Sequence, residues 1–398
     1  MIKFKIPVFI VLSLVHFKLV AQENVALVNS LNEVIRPIAT LDAAAPFTDL
    51  AFLRPIIQEK NIVALGEATH GTHEFFVYKD RLIRYMVTTL GYKSIAFESD
   101  FSATQQLDDF INKKTDQLKF DGGGFPLILE TKIMLNWLRQ YNDDKPPGER
   151  VHIYGLEARG FSNIIKQVLA ALPVLPRDVA LRLHDIEIAD YRNLKKEDIN
   201  QLVKIMPVIY QTARSAPDSS VTLHYVDLLK QTAANFLHYK FGDRDGYLFE
   251  NANWVINQSG NSKLIIWAHN GHVAKSSLFK QPSLGNLLSK RYGSKYLSVA
   301  TDFNTGNVNL FVNRKLQKVN YPDVMSIKAY EFYFKQCRYK NFIIDIATAQ
   351  SNLVLKQFFN KKLDMRMIGG TDDVTNWKLA IAENFDLLIY FNSTTASD

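Results

Sequence analysis

Short apolar runs alternate with longer stretches of helical periodicity along most of this chain. The runs are Asn61–Gly66, Ser94–Glu98, Val151–Gly155, Lys263–Ala268, Tyr296–Thr301, Phe342–Ile346 and Asp386–Phe391. Each is four to eight residues of β-branched or apolar character bounded by turn-forming or charged residues, the pattern of a buried strand. Between the first two, Phe75–Leu90 carries its apolar residues at helical spacing and stops at Gly91. Strand, helix, strand in this order is a βαβ unit. The chain is therefore predicted to be α/β, with a mostly parallel central sheet flanked by helices. Asn307–Val312 reads as an added antiparallel or edge strand.

The middle differs. From 164 to 256 the pattern holds amphipathic helices rich in Leu, Lys and Ala, punctuated by Pro173, Pro176, Pro207 and Pro217. We read a helical insertion, 164–256, between two parts of an α/β core, 22–163 and 257–398. The same pattern also fits crossover helices of a single domain. No internal repeat or low-complexity tract occurs, and Gly122-Gly-Gly124, without the spacing of a phosphate loop, reads as a turn near the site.

Residues 1–21 read as a secretory signal: Lys3 and Lys5 precede an apolar stretch, Ile6 to Val15, and Leu19-Val20-Ala21 offers a cleavage site. Export to the periplasm or beyond is the expected consequence. An apolar core this short does not span a bilayer, so no stable membrane anchor is expected. The composition, 47% apolar and 22% charged, is that of a soluble globular protein. The formal charge of +7 falls to +4 once Lys3, Lys5 and Lys18 are set aside, with no dense basic run, which argues against nucleic acid. A single cysteine, Cys337, excludes an internal disulfide and a cysteine-rich metal site. Oligomeric state is not written in these features.

Polar clusters follow four of the predicted strands. Glu67 and His70 lie in Leu65-Gly-Glu-Ala-Thr-His-Gly-Thr-His-Glu-Phe-Phe76, with His73 and Glu74 just beyond. Glu98 follows Ile95-Ala-Phe97, Glu157 follows Gly155, and His269 and His272 lie in Trp267-Ala-His-Asn-Gly-His-Val273. In parallel sheets the carboxyl ends of strands carry the ligand site, so a shared cleft is the economical reading. Taken singly, each has a plainer role: a Glu after a strand caps the next helix, and a buried His satisfies a core hydrogen bond. Four such exits together favour chemistry.

Other chemistries fail on spacing. No Gly-x-Ser-x-Gly elbow occurs, His73-Glu74 meets Val77 where a zincin needs its second histidine, and no dinucleotide fingerprint follows a strand. Imidazoles and carboxylates without a protein nucleophile suit activated water: a histidine takes a proton, a carboxylate holds its tautomer, and a cation or acid stabilises the oxyanion.

These motifs resemble the erythromycin esterase family, which includes proteins linked to succinoglycan synthesis. The resemblance rests on Leu65–Thr72 with Glu74-Phe-Phe76, Lys79-x-Arg81-Leu82, Gly91-Tyr-x-x-Ile-Ala-Phe-Glu98 and Trp137-Leu-Arg-x-Tyr-Asn142. It continues in Arg244-Asp245 with Asn251 and Trp254, Trp267–Val273, Arg366-x-Ile-Gly369 and Phe385-Asp-x-Leu-Ile-Tyr390. It implies an α/β core with a helical subdomain and hydrolysis of an ester or macrolactone without a covalent enzyme intermediate. His70 would be the general base, supported by Glu67, with Glu98, His269 and His272 completing the catalytic set. Lys79, His73, Glu157 and Arg244 would bind substrate. Lys79 stands where some members carry arginine, which keeps the charge and loses the planar fork. Gly155-Leu-Glu-Ala-Arg159 departs from the family's Gly-Phe-Asp pattern.

The resemblance requires no cofactor and no metal, and implies a small-molecule ester or lactone as partner; macrolide resistance is the biological role it suggests. Two other readings use the same residues: a hydrolase binding zinc or manganese through the His/Glu set, and an exported glycan- or ligand-binding protein of polysaccharide assembly.

Overall fold

The computed structural model describes residues 24–398 except 190, 239–240, 261–262, 279–280 and 372–374. The expected leader, 1–21, lies outside the described residues. The chain divides into two compact units. One, here the central unit, holds Asp42–Gly66, Phe76–Ser298 and Asp398; the other, the C-terminal unit, holds the chain up to Leu41, Glu67–Phe75 and Val299–Ser397. The fold is mixed α/β, with sheet flanked by helices, as the pattern predicts.

In the central unit the strands β2 (Ile62–Glu67), β3 (Ser94–Asp100), β4 (His152–Glu157) and β5 (Leu264–His269) lie in the order β2-β5-β3-β4. β3 runs parallel to both neighbours, pairing Ser94 with Leu264 and with His152. All six residues of β2 and of β5 are buried. Strands covered on both faces need apolar residues at successive positions, which is why they appear in sequence as unbroken runs.

Between β4 and β5 the α-helices among the described residues are Ser162–Ala171, Arg177–Ile188, Lys196–Arg214, Ser219–His238 and Phe241–Gln258, and no strand is found there. In Lys196–Arg214, Ile199, Leu202, Met206, Ile209 and Ala213 are buried at three- and four-residue intervals, forming the stripe that packs on Ser219–His238. Emptying one such position, as in Leu202→Ala, costs about 2–5 kcal/mol.

The C-terminal unit is less regular. β1 (Arg36–Pro37), β8 (Asn341–Asp345), β11 (Leu387–Thr394) and β6 (Tyr296–Val312) are adjacent in that order, and β7 (Lys315–Tyr321) pairs with β6. β11 is parallel to β6, but β8 is antiparallel to β11 and β1 to β8, so the parallel expectation holds only in part here. β6 absorbs Asn307–Val312 as its own continuation, and that half is antiparallel to β7. The hairpin turns on Asn313 and Arg314, both at positive φ (50° and 64°), the geometry that suits right-handed strand twist. A separate pair, β9 (Leu363–Arg366) with β10 (Asn376–Leu379), is antiparallel. Cys337 is buried here, and burial pushes its thiol up to about 12 despite Lys340. Among the described residues no helix is long and apolar enough to cross a membrane.

Candidate active site

In the C-terminal unit, Glu67 ends β2 and the chain turns sharply through Ala68–Thr72. This turn is strapped from several sides. The Ala68 carbonyl accepts from Ile368 and Gly369 N–H, the His70 N–H donates to the Gly369 carbonyl, and the Gly71 carbonyl accepts from Asn309 and Ser397. Gly71 is obligatory: a Cβ there would stand 2.0 Å from the Asn309 carbonyl oxygen. Within the turn the Thr69 and Thr72 hydroxyls are hydrogen-bonded to each other. A rigid loop is what a catalytic side chain needs.

The loop brings His70 onto Glu67, with Nδ1 2.6 Å from Oε1. The carboxylate is buried, whereas the imidazole is 34% exposed. With Nδ1–H donating to Glu67, the lone pair resides on Nε2, which is the tautomer of a general base. Gly370 lies against the ring: a Cβ there would approach His70 Cδ2 to 3.2 Å. His73 begins the helix His73–Leu90, and its N–H donates to the Thr395 carbonyl.

The central unit holds a second group, centred on Arg244 of the Phe241–Gln258 helix. Its guanidinium donates to Glu98 Oε1 at 2.6 Å and to Glu157, and Nη1 lies 2.7 Å from His272 Nε2. Glu98 Oε2 accepts the His269 N–H at 2.8 Å, which ties the end of β5 to the same carboxylate. Arg159 pairs with Glu157. His272 Nδ1 lies 2.8 Å from Asp245 Oδ1, and that oxygen also accepts the Leu284 N–H. Burial works to lower the His272 pKa, but the charges of Glu98 and Asp245 outweigh burial and Arg244 and hold it up to about 9. Both nitrogens of His272 thus face protein groups. A divalent cation at Nε2 would have to replace a guanidinium.

Local backbone explains how Glu98 is aimed. Pairing of β3 with β4 shifts register between Phe97 and Asp100, a bulge of the kind that redirects side chains beside active sites. Two glycines make room for it. A Cβ on Gly124 (φ +94°) would meet the Glu98 carbonyl oxygen at 2.4 Å, and one on Gly155 would meet the Asp100 backbone at 2.6 Å. The Gly122–Gly124 turn is hence a packed support, with the Gly123 carbonyl accepting from Asp100 N–H and Ser99 Oγ. Asp100 caps the next helix by accepting the Ala103 N–H, and burial raises its pKa against those bonds.

Two further expected residues of the central unit are Lys79 and His269. Lys79 is buried with Nζ 4.7 Å over the Trp267 ring. His269 is buried as well, and its Nδ1 accepts the Gly271 N–H at 3.2 Å, so its own proton belongs on Nε2. The structure therefore gathers Glu67 with His70 in one unit, and Glu98, Glu157, Arg244 and His272 in the other, with His269 joined through its backbone.

A family model described as erythromycin esterase matches residues 87–394, more than half of the sequence. The chain belongs to the erythromycin esterase family. The matched stretch contains Glu98, Glu157, Arg244, His269 and His272, and begins beyond Glu67 and His70. Similar curated proteins include an Escherichia coli protein named erythromycin esterase type II, 24% identical over 66% of this chain and 73% of its own length. A Bacillus subtilis protein named putative hydrolase YbfO is 23% identical over 63% of this chain and 67% of its own. Among solved structures, a Bacillus cereus protein shares the fold with a TM-score of 0.83 at 22% identity, covering 94% of this chain and 98% of that one. A succinoglycan biosynthesis protein gives 0.82 at 21%, covering 94% and 97%. A mutant of the erythromycin esterase EreC in its open conformation gives 0.68 at 15%, covering 90% and 98%.

Within this family member, Asp245 is the residue that reading the sequence passed over as a site residue. It sits beside Arg244 in a recognised motif, but its partner His272 lies 27 positions away on another element. Asp next to Arg on one helix was the available signal.

Proposed function

We propose that this family member hydrolyses an ester or lactone with water activated by His70. The observation that supports it most is the Glu67–His70 pair, a buried carboxylate on Nδ1 of a half-exposed imidazole. His70 Nε2 takes a proton from water as the oxygen bonds to the substrate carbonyl carbon. The C–O bond to the alcohol then breaks, and the departing alkoxide receives the proton. Glu67 holds the tautomer and offsets the imidazolium charge. We assign Glu98, His269 and His272 to the same reaction. Arg244, Lys79, Glu157 and His73 are assigned to substrate binding, the cations matching carbonyl or developing oxyanion charge. Family membership supports hydrolase chemistry, and the names of the relatives favour macrolactones among candidate substrates. Export through the leader at 1–21 belongs to the same proposal.

The test is a hydrolysis screen of the purified protein against macrolides, simpler lactones and aryl esters, before and after chelation. His70→Ala is expected to remain folded and lose turnover of whichever substrate reacts. Most of the activity surviving that substitution would sink the proposal, and activity that requires stoichiometric metal would replace it with a metal-dependent mechanism.

A further inference from the structure

The β6–β7 hairpin ends in a tip that projects from its sheet. Lys315, Leu316, Gln317 and Lys318 are exposed at four successive positions, and successive side chains of a strand point to opposite faces, so neither face of the tip is covered. Phe311 and Leu316 are cross-strand partners here, 54% and 60% exposed. The pairing sets an aromatic and a branched side chain side by side on one face. Exposed apolar residues scattered singly are ordinary, whereas an adjacent pair at the end of a projecting hairpin marks a contact surface.

Cations surround the pair. Arg314 stands in the turn, Lys318 follows Leu316 on the same face, and Lys315 lies on the opposite face. None of the three has an ion-pair partner among the described residues. No acidic residue occurs in 303–322, and the flanking ones are engaged: Asp302 is buried, and Asp323 pairs with Lys335.

Charge and apolarity together select what this tip can dock on. A second copy of the chain would bring three cations against three. A hydrated polyanion would pair with the cations and leave Phe311 and Leu316 in water. A bilayer with anionic headgroups meets both: its phosphates face the cations while the ring and the leucine enter the boundary with the acyl chains. We infer that the β6–β7 tip is a reversible membrane contact that docks on anionic phospholipid. Two apolar side chains reach only the interface, so the contact is peripheral and spans nothing. It does not depend on the hydrolase reading.

Flotation of the full chain with lipid vesicles tests it. Vesicles of phosphatidylcholine with about one-third phosphatidylglycerol should bind at least about 10-fold more tightly than phosphatidylcholine alone. Salt at about 0.5 M should remove most of that preference. Arg314→Gln combined with Lys315→Gln and Lys318→Gln should abolish it. Phe311→Ser combined with Leu316→Ser should weaken binding to the anionic vesicles at least about 10-fold. All five positions are exposed, and thermal unfolding checks that both variants fold. No binding to anionic vesicles overturns the inference, as does binding that survives either set of substitutions. Heparin binding without vesicle binding would assign the tip to a soluble polyanion, and self-association lost with Phe311→Ser would assign it to a second copy; either result overturns it too.

Discussion

Arg244 and Arg366 are assembled from the same parts and differ in how those parts are finished. Each guanidinium lies near two acidic residues, Glu98 and Glu157 for Arg244, Asp302 and Glu331 for Arg366. Arg366 gives its hydrogen bonds to the carbonyls of Phe303, Asn304 and Pro322 and is covered by the Phe303 and Tyr321 rings. Backbone carbonyls do not titrate or move, so this arginine is a tie within the C-terminal unit. Arg244 instead donates to carboxylates and faces an imidazole, keeps 22% of its side chain exposed, and lines a cavity. Its acceptors are groups whose charge can change. Sequence patterns cannot distinguish the two arginines; the acceptors and the exposure do.

The comparison is most easily broken by removing each arginine. Arg366→Met should cost about 3–5 kcal/mol of stability, because it strands buried acidic groups, and urea titration would show it. Arg244→Ala takes the shared cation from Glu98 and Glu157, so the urea midpoint should fall too, by less than in Arg366→Met because Arg244 is partly solvated. Its kcat/KM should drop about 100-fold on the best ester found in the screen. Reversed outcomes would mean that the assignment of tie and working group is wrong.

A smaller effect separates the clusters by pH. Burial, and then the Glu331 charge, raise the Asp302 pKa well above 3.8, against the Phe303 N–H and Arg366. The folded protein therefore keeps a proton that the unfolded chain loses, and stability falls as pH rises from about 4 through the folded pKa. Asp302→Asn should flatten that slope on the alkaline side of pH 4 in urea titrations. An unchanged slope would remove Asp302 from the account.

His272 also gives stability a pH dependence. Its pKa is raised from 6.5 to about 9, so the stability it contributes is complete below pH 6.5 and is lost as pH climbs toward 9. Asp245→Asn should move this loss to lower pH and displace the alkaline limb of the activity profile in the same direction. The shift is the smallest of these effects, and a profile identical to wild type would show that Asp245 does not govern His272.

Much of this was legible along the chain, for identifiable reasons. β2 and β5 are fully buried, so their apolar runs stood out, and Glu67–His70 lies within one turn, where spacing alone places the groups together. β7 escaped because five of its seven residues are exposed and its sequence, Lys-Leu-Gln-Lys-Val-Asn-Tyr, has no apolar face to betray it. The Arg244 cluster needed the fold, since Arg244 and Glu98 are 146 positions apart. Gly122–Gly124 reads in sequence as a turn near the site, and only the bulge in β3 reveals what its missing side chains permit.

The central claim concerns a proton at His70 Nε2, and chemical rescue tests it most directly. His70→Ala should lower kcat/KM about 1,000-fold on a responsive ester, and added imidazole should restore part of that loss in a saturable manner that follows the concentration of free base. A variant that keeps most of its activity, or one that loses it and shows no rescue above the reaction of imidazole alone, would contradict the account.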